Sequence, residues 1–341
     1  MSVNAAIVLM EAGRPTETAR FLTPATDGIG ILPPALIESV ASFQPDPPEF
    51  NEETVPLGAE PWRRSAGVSA ARVTTVRLGD IAFLAQGVKT GRNDLYVVTS
   101  AMARDRRLEA EVLRPVLEGE DIGAFALVNT GRQLIYLDGS ADLAHYPRTL
   151  AYLEEHKDEL GARAEASNGQ YPRWRLQRPR RSPAVDAATR LIAPQLATAP
   201  RFSVVSSAGA LAGAVGLTDT VILAVLDEFS PYYILAVLNS AYGASWTRLN
   251  AKIKRAGYRE FVATALADFP VPVLRAESQE LLAHKYARQL QVELADPPFR
   301  VLKGRFDDRL NESNARSSLI AEINALIEAE VGSLGGGHGV G

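Results

Sequence analysis

The stretch Ile81–Val98, IAFLAQGVKTGRNDLYVV, constrains the chain more than any other. Two apolar runs, Ile81–Leu84 and Leu95–Val98, flank a polar turn that contains Gly87 and Gly91. Apolar, β-rich segments on either side of a glycine-containing turn predict strand–loop–strand. The loop then carries Lys89, Thr90, Arg92 and Asn93 on a rigid base. Two cations and an amide held in this way suit contact with phosphate and base edges. An ordinary hairpin loop with solvated charges is the simpler reading of its composition, so the rest of the chain has to decide.

The chain of 341 residues is long enough for roughly two domains. With 46% hydrophobic and 22% charged residues it has the composition of a soluble protein with a real core. A mean hydropathy of -0.04 and the lack of a long uncharged apolar run argue against a membrane span. No basic-then-apolar signal opens the sequence, so a cytoplasmic location is expected. The absence of cysteine excludes disulfides, zinc fingers, iron–sulfur ligation and cysteine nucleophiles. His145, His156, His284 and His338 have no metal-ligand spacing, and no catalytic set of Ser, His and Asp stands out. The net charge is -4, so any nucleic-acid role must come from local basic clusters.

Taken in order, Asn4–Met10 reads as a buried strand that needs a sheet, in this chain or another. Glu11–Asp27 reads as irregular, Leu32–Phe43 as a short helix and the Pro- and acid-rich Gln44–Trp62 as an exposed linker. Leu108–Leu117 is expected to be helical, ended by Glu118–Ile122, and Leu134–Leu137 to be a strand. Tyr146–Ala166 is an amphipathic helix candidate, with Leu150, Leu153 and Leu160 opposite Glu154, Glu155, Lys157 and Asp158. Leu191–Pro194, Phe202–Ser206 and Thr220–Val225 read as strands, Pro231–Ala241 as a helix and Phe269–Pro272 as an extended stop. From Ser278 the periodicity is helical: Leu281, Leu282, Tyr286 and Leu290 share one face, and in Ser317–Val331 so do Leu319, Ile320, Ile323, Leu326 and Ile327. The glycine-rich Gly332–Gly341 is a disordered-tail composition.

Tyr171–Arg181, YPRWRLQRPRR, holds Arg173, Arg175, Arg178, Arg180 and Arg181 with no acid between them. Arginines interleaved with Tyr171 and Trp174 can neutralise phosphates and stack on bases. The same residues also suit a surface loop that pairs with the acidic helix before it, with Trp174 in the core. Asn250–Arg259 adds Lys252, Lys254 and Arg255. GVKTG is not a phosphate loop, because the Walker spacing is missing. Asp296–Phe299, DPPF, matches the catalytic tetrapeptide of amino-directed DNA methyltransferases, but it follows an amphipathic helical segment rather than a buried strand. No cofactor-binding glycine motif lies upstream, and the context favours a proline stop between two C-terminal helices over a catalytic role.

Several segments occur in an order that resembles the C-terminal target-recognition region of adenine-specific DNA methyltransferases, the TaqI-like specificity domain of fused restriction–modification enzymes. They are Gly87–Val98, Leu113–Ile122, Leu134–Gly139, Leu150–Arg163, Tyr171–Arg180, Tyr232–Ser240, Asp268–Leu274 and Ile320–Leu334. Asn4–Gly13 is similar to the last strand of the family's catalytic domain. The resemblance implies a mixed α/β fold, a twisted sheet bearing the recognition loops followed by C-terminal helices. It divides the chain into 1–61 (catalytic-domain edge and linker), 62–274 (target recognition), 275–334 (helices) and 335–341 (tail). It implies sequence-specific recognition of double-stranded DNA for adenine methylation in restriction–modification or phage defence. Because the cofactor motif is missing, a separate methyltransferase catalytic subunit would bind S-adenosylmethionine, and no cofactor or catalytic residue is expected in this chain. Lys89, Thr90, Arg92 and Asn93 would meet the DNA, Arg173, Arg175, Arg178 and Arg180 would mostly neutralise backbone, and Lys252, Lys254 and Arg255 would contact phosphate. Extruding a base for methylation would also require this region to hold a distorted duplex. The alternatives are a non-catalytic interaction fragment, a Type I-like specificity subunit, or an independent enzyme using Asp296.

Overall fold

The computed structural model describes residues 18–24, 50–56, 73–226, 228–254, 257–294, 301–302, 305–306 and 314–331. The chain divides into two compact units, Met1–Val68 and Ser69–Gly341. In the first, β1 (Thr18–Pro24) and β2 (Phe50–Pro56) pair antiparallel, Thr18 opposite Pro56 and Pro24 opposite Phe50. These strands replace the irregular segment and the linker expected there. The Thr, Phe and Val content favours extended chain, and proline sits only at strand ends, where a ladder tolerates it. The strand expected at Asn4–Met10, the helix at Leu32–Phe43 and the Asp296–Phe299 motif lie outside the described residues.

The second unit is mixed α/β, as the sequence predicts. Its largest sheet runs β12 (Ser203–Ser206), β10 (Thr189–Pro194), β14 (Thr220–Val225), β4 (Ala82–Gln86), every pair antiparallel. Alternation sorts its side chains. Leu191 and Leu223 are paired and join one hydrophobic cluster, while the next pair, Ile192 and Ile222, joins another. The sheet is therefore buried on both faces, which explains why β14 is a continuous apolar run.

A second sheet runs β13 (Val215–Gly216), β6 (Leu113–Leu117), β9 (Arg132–Ile135), β5 (Val97–Thr99), with β13 and β6 parallel. Here Leu108–Leu117 departs from expectation: its second half is strand β6, preceded by one 3-10 turn at Ala110–Val112. Pro115 gives the reason, since a helix interior rejects proline and its missing N–H. The glycine loop departs as well. β4 and β5 belong to different sheets, so Gly87–Arg92 is a crossover between sheets and not a hairpin turn. Asn93–Tyr96 forms one helical turn before β5.

Smaller sheets complete the unit. β7 (Ile122–Gly123) pairs with β8 (Ala126–Val128), which pairs with β18 (Val292–Leu294). β3 (Thr75–Arg77) pairs with β17 (Pro270–Pro272), and β11 (Leu196–Ala197), β16 (Arg259–Glu260) and β15 (Lys252–Ile253) form a three-stranded patch.

Helices cover one face of the largest sheet. Pro231–Asn239 buries every side chain from Tyr233 to Leu238, as a helix enclosed on all sides must. Each such leucine or isoleucine contributes about 1.5–3 kcal/mol on burial. The helix expected from Ser278 begins at Ala276 and widens to π geometry over Leu281–Ala287. Leu281 is exposed while Leu282, Tyr286 and Leu290 are buried. In Asn314–Val331, Ile323, Ile327 and Val331 enter the same cluster. The C-terminal helices thus pack on the chain's own core. Among the described residues no helix is long and apolar enough to cross a membrane.

Candidate nucleic-acid interface

The crossover loop is held by backbone pairing before any side chain acts. Gly87 N–H donates to Thr220 O at 2.9 Å and Val88 N–H to Gly216 O at 2.7 Å. A Cβ at Gly87 would stand 1.9 Å from Leu217 O, so this approach requires glycine. Lys89 and Arg178 then exchange hydrogen bonds, Lys89 N–H to Arg178 O at 3.1 Å and Arg178 N–H to Lys89 O at 2.8 Å. The crossover loop and the arginine segment are therefore joined by one antiparallel bridge.

The loop residues divide by burial. Lys89 and Asn93 are exposed and Arg92 is half-buried. Thr90 is buried; its hydroxyl donates to Asn93 Oδ1 at 2.5 Å and accepts from Arg92 N–H at 3.0 Å. It holds the loop's shape and presents nothing to solvent. Arg92 is clamped by Asp94 at 2.7 Å and by Glu159. Both carboxylates raise the guanidinium's pKa, and Arg92 in turn holds Asp94 and Glu159 below the ordinary carboxylate range.

The arginines of Tyr171–Arg181 meet different fates. Arg173 pairs with Glu154 at 2.8 Å and Arg178 with Glu165 at 2.7 Å. Arg175 donates from Nε to Asp138 O at 2.9 Å and lies over the Tyr171 ring at 5.3 Å. Arg180 donates from Nε to Gln86 O at 2.6 Å and Gly87 O at 3.2 Å, and its burial lowers its pKa. Trp174 is half-buried against the core of the second sheet.

Beneath them sits Arg163, which the sequence marks only as a helix end. It is buried between the rings of Tyr96 and Tyr171, 5.5 Å from each. Its guanidinium donates to Thr90 O at 2.8 Å, to Leu160 O at 3.0 Å and to Arg173 O. One planar fork thus ties the crossover loop, the arginine segment and the end of the Lys157–Gly161 helix together.

A hydrogen-bonded relay continues to the third basic segment. Gln86, whose carbonyl holds Arg180, donates from Nε2 to Gln195 Oε1 at 3.2 Å and to Thr218 O at 2.9 Å. Gln195 O accepts from Phe261 N–H at 2.7 Å, beside β16. On the paired strand β15, Lys252 is exposed, and Lys254, which follows it, pairs with Glu260 at 3.1 Å. Arg255 lies outside the described residues. Gln195 carries no sequence signal of its own.

Asn93 and Gln195 line one cavity of about 450 Å³ with Glu118, Glu120, Leu217, Thr218 and Asp219. Asp219 Oδ2 accepts from Gly119 N–H at 2.8 Å. Behind it Asp121 is buried, accepting from Glu118 N–H at 2.7 Å and from Arg132 at 2.6 Å. Burial outweighs these partners and pushes Asp121 up to about 6. Among the described residues no group of His, Asp and Glu could hold a metal ion.

No family model matches the sequence, and no curated protein matches it. Solved structures do match. The Type IIL restriction–modification enzyme MmeI, solved in complex with DNA, aligns over 77% of this chain and 34% of its own, at 14% identity and a TM-score of 0.52. The Type IIG restriction endonuclease BpuSI aligns over 93% of this chain and 40% of its own, at 13% identity and a TM-score of 0.45. The chain spans about a third of MmeI's length, and over that length it shares the fold of a restriction–modification enzyme.

Proposed function

We propose that this chain reads a short duplex DNA sequence for an adenine-specific methyltransferase in restriction–modification, acting with a separate catalytic chain that carries S-adenosylmethionine. The observation that carries this reading is the Lys89–Arg178 bridge, which makes two basic segments, distant in sequence, into one surface. The relay through Gln86 and Gln195 to β16 supports including Lys252 and Lys254. The fold shared with MmeI, a protein solved with DNA, supports the same assignment.

The chemistry follows from the groups presented. Lys89 and Lys252 are exposed ammonium groups suited to phosphate. Asn93 and Gln195 are amides, the side chains that pair bidentately with adenine in the major groove. The acidic cavity beside them repels phosphate, so a base edge suits that position better than backbone; a carboxylate there can accept from cytosine N4.

Fluorescence anisotropy of a labelled duplex against salt concentration tests the reading. Replacing Lys89 and Lys252 by alanine should lower the slope of log K against log salt by about 1.8, at about 0.9 for each phosphate no longer neutralised. An unchanged slope, or no binding by the parent protein at low salt, contradicts it. Incubating the pure chain with labelled cofactor and DNA should give no methyl transfer until the catalytic chain is added.

A further inference from the structure

Three helical segments supply three carboxylates to the basic surface, one each. Glu154 of Pro147–Glu155 pairs with Arg173, Glu159 of Lys157–Gly161 with Arg92, and Glu165 of Ala164–Ser167 with Arg178. The three arginines come from the two segments joined by the Lys89–Arg178 bridge. Lys89, on the same bridge, is exposed, as is Lys252 on β15.

The pairs are poor devices for stability. The arginine side chains keep 30%, 50% and 58% of their surface for Arg92, Arg173 and Arg178, and exposed pairs of this kind contribute little. Glu165 is incompletely satisfied: its Oε2 is buried without a hydrogen-bond partner. What the pairs do well is set the charge of the surface. Each holds a guanidinium in place while cancelling it, and a phosphate oxygen can take the carboxylate's position on the same fork.

We propose that Glu154, Glu159 and Glu165 are built-in competitors of DNA phosphate, which suppress binding to unrelated sequence and leave affinity dependent on base contacts. The inference rests on the DNA-recognition reading above. Its electrostatics give a definite expectation. A free cationic side chain that meets a phosphate releases a counterion from the DNA. A paired arginine must first free its carboxylate, which recruits a cation from solution and offsets that release. Each such arginine therefore adds almost nothing to the salt slope or to non-specific affinity. Discrimination gained by penalising the wrong partner is a general route to specificity.

The test compares the full chain with the E154Q/E159Q/E165Q variant on duplexes of unrelated sequence. Glutamine keeps the size and removes the charge. The variant should steepen the salt slope by about 1.8, about 0.9 for each of Arg173 and Arg178, since Asp94 still pairs with Arg92, and tighten non-specific binding by on the order of tenfold or more at low salt. Glu155→Gln is the control, because Glu155 lies on the same helix but pairs with Arg106, outside the basic segments, at 2.7 Å. It should leave the slope unchanged. If the triple variant does not fold, as judged by circular dichroism, Glu154→Gln and Glu165→Gln are read one at a time.

A triple variant with the parent's slope overturns the proposal, and so does a Glu155→Gln shift equal to that of Glu154→Gln or Glu165→Gln, since that would be a net-charge effect. In both cases the parent still binds DNA and the recognition reading survives. If neither parent nor variant binds duplex at any salt, the recognition reading fails and this inference with it.

Discussion

Two buried or half-buried arginines and two exposed lysines all carry a full positive charge, yet the fold uses them in opposite ways. Arg163 and Arg180 spend their guanidinium groups on backbone carbonyls, at Thr90, Leu160 and Arg173 and at Gln86 and Gly87. Lys89 and Lys252 extend into solvent. The difference follows from geometry: a planar fork with five donors can bridge several carbonyls, whereas an ammonium on a flexible stem is better hydrated than buried. Arginine here builds the surface and lysine charges it.

The largest effect that separates the two roles should come from Arg163. In Arg163→Lys the charge stays, but one nitrogen cannot reach three carbonyls that lie on three segments. Urea denaturation should show a loss of about 3 kcal/mol, the cost of buried acceptors left without donors. DNA binding should fall with it, because Thr90 and the Arg173 backbone lose their shared anchor. Lys252→Ala should be the opposite case, with stability changed by less than about 0.5 kcal/mol while DNA binding weakens. Equal stability losses in the two variants would erase the comparison.

An effect of similar size, but confined to a window of pH, concerns the acidic side of the site. Asp121 has its pKa raised by burial to about 6, against an ordinary value of 3.8. The folded state therefore takes up this proton more readily than the unfolded state. Its contribution to stability is present below pH 4 and is lost as pH rises from about 4 to about 6. The full loss is about 3 kcal/mol at about 1.4 kcal/mol per pKa unit. Asp121→Asn should flatten that part of the stability curve, read from denaturant midpoints at a series of pH values. A curve that keeps its slope in the variant would assign the titration to another group.

Much of the fold is legible in the residues themselves. Thr220–Val225 reads as a buried strand because a sheet covered on both faces needs no polar alternation, and Pro231–Asn239 reads as a helix from its proline start and apolar content. The pairing of arginines with the preceding acidic helix is one of the two readings open for Tyr171–Arg181, and it is what Glu154 and Glu165 do. Other features depend on interactions that no local pattern encodes. Leu108–Leu117 has helical composition apart from Pro115, and that β6 would join β9 and β13 is not written in it. The Ile81–Val98 runs are strand-like as expected, but which sheet each joins is a long-range choice. Arg163 and Gln195 are silent in the sequence for the same reason: their partners lie from three to more than a hundred residues away.

The central claim is that Lys89 and the Lys252–Lys254 segment face one duplex. Acetylation of lysines, mapped by mass spectrometry with and without bound duplex DNA, measures this directly. Lys89, Lys252 and Lys254 should be protected together when DNA is added, while the exposed Lys157 and Lys285 keep their reactivity. Protection of Lys89 without Lys252 and Lys254, or uniform reactivity at all five, would contradict the account.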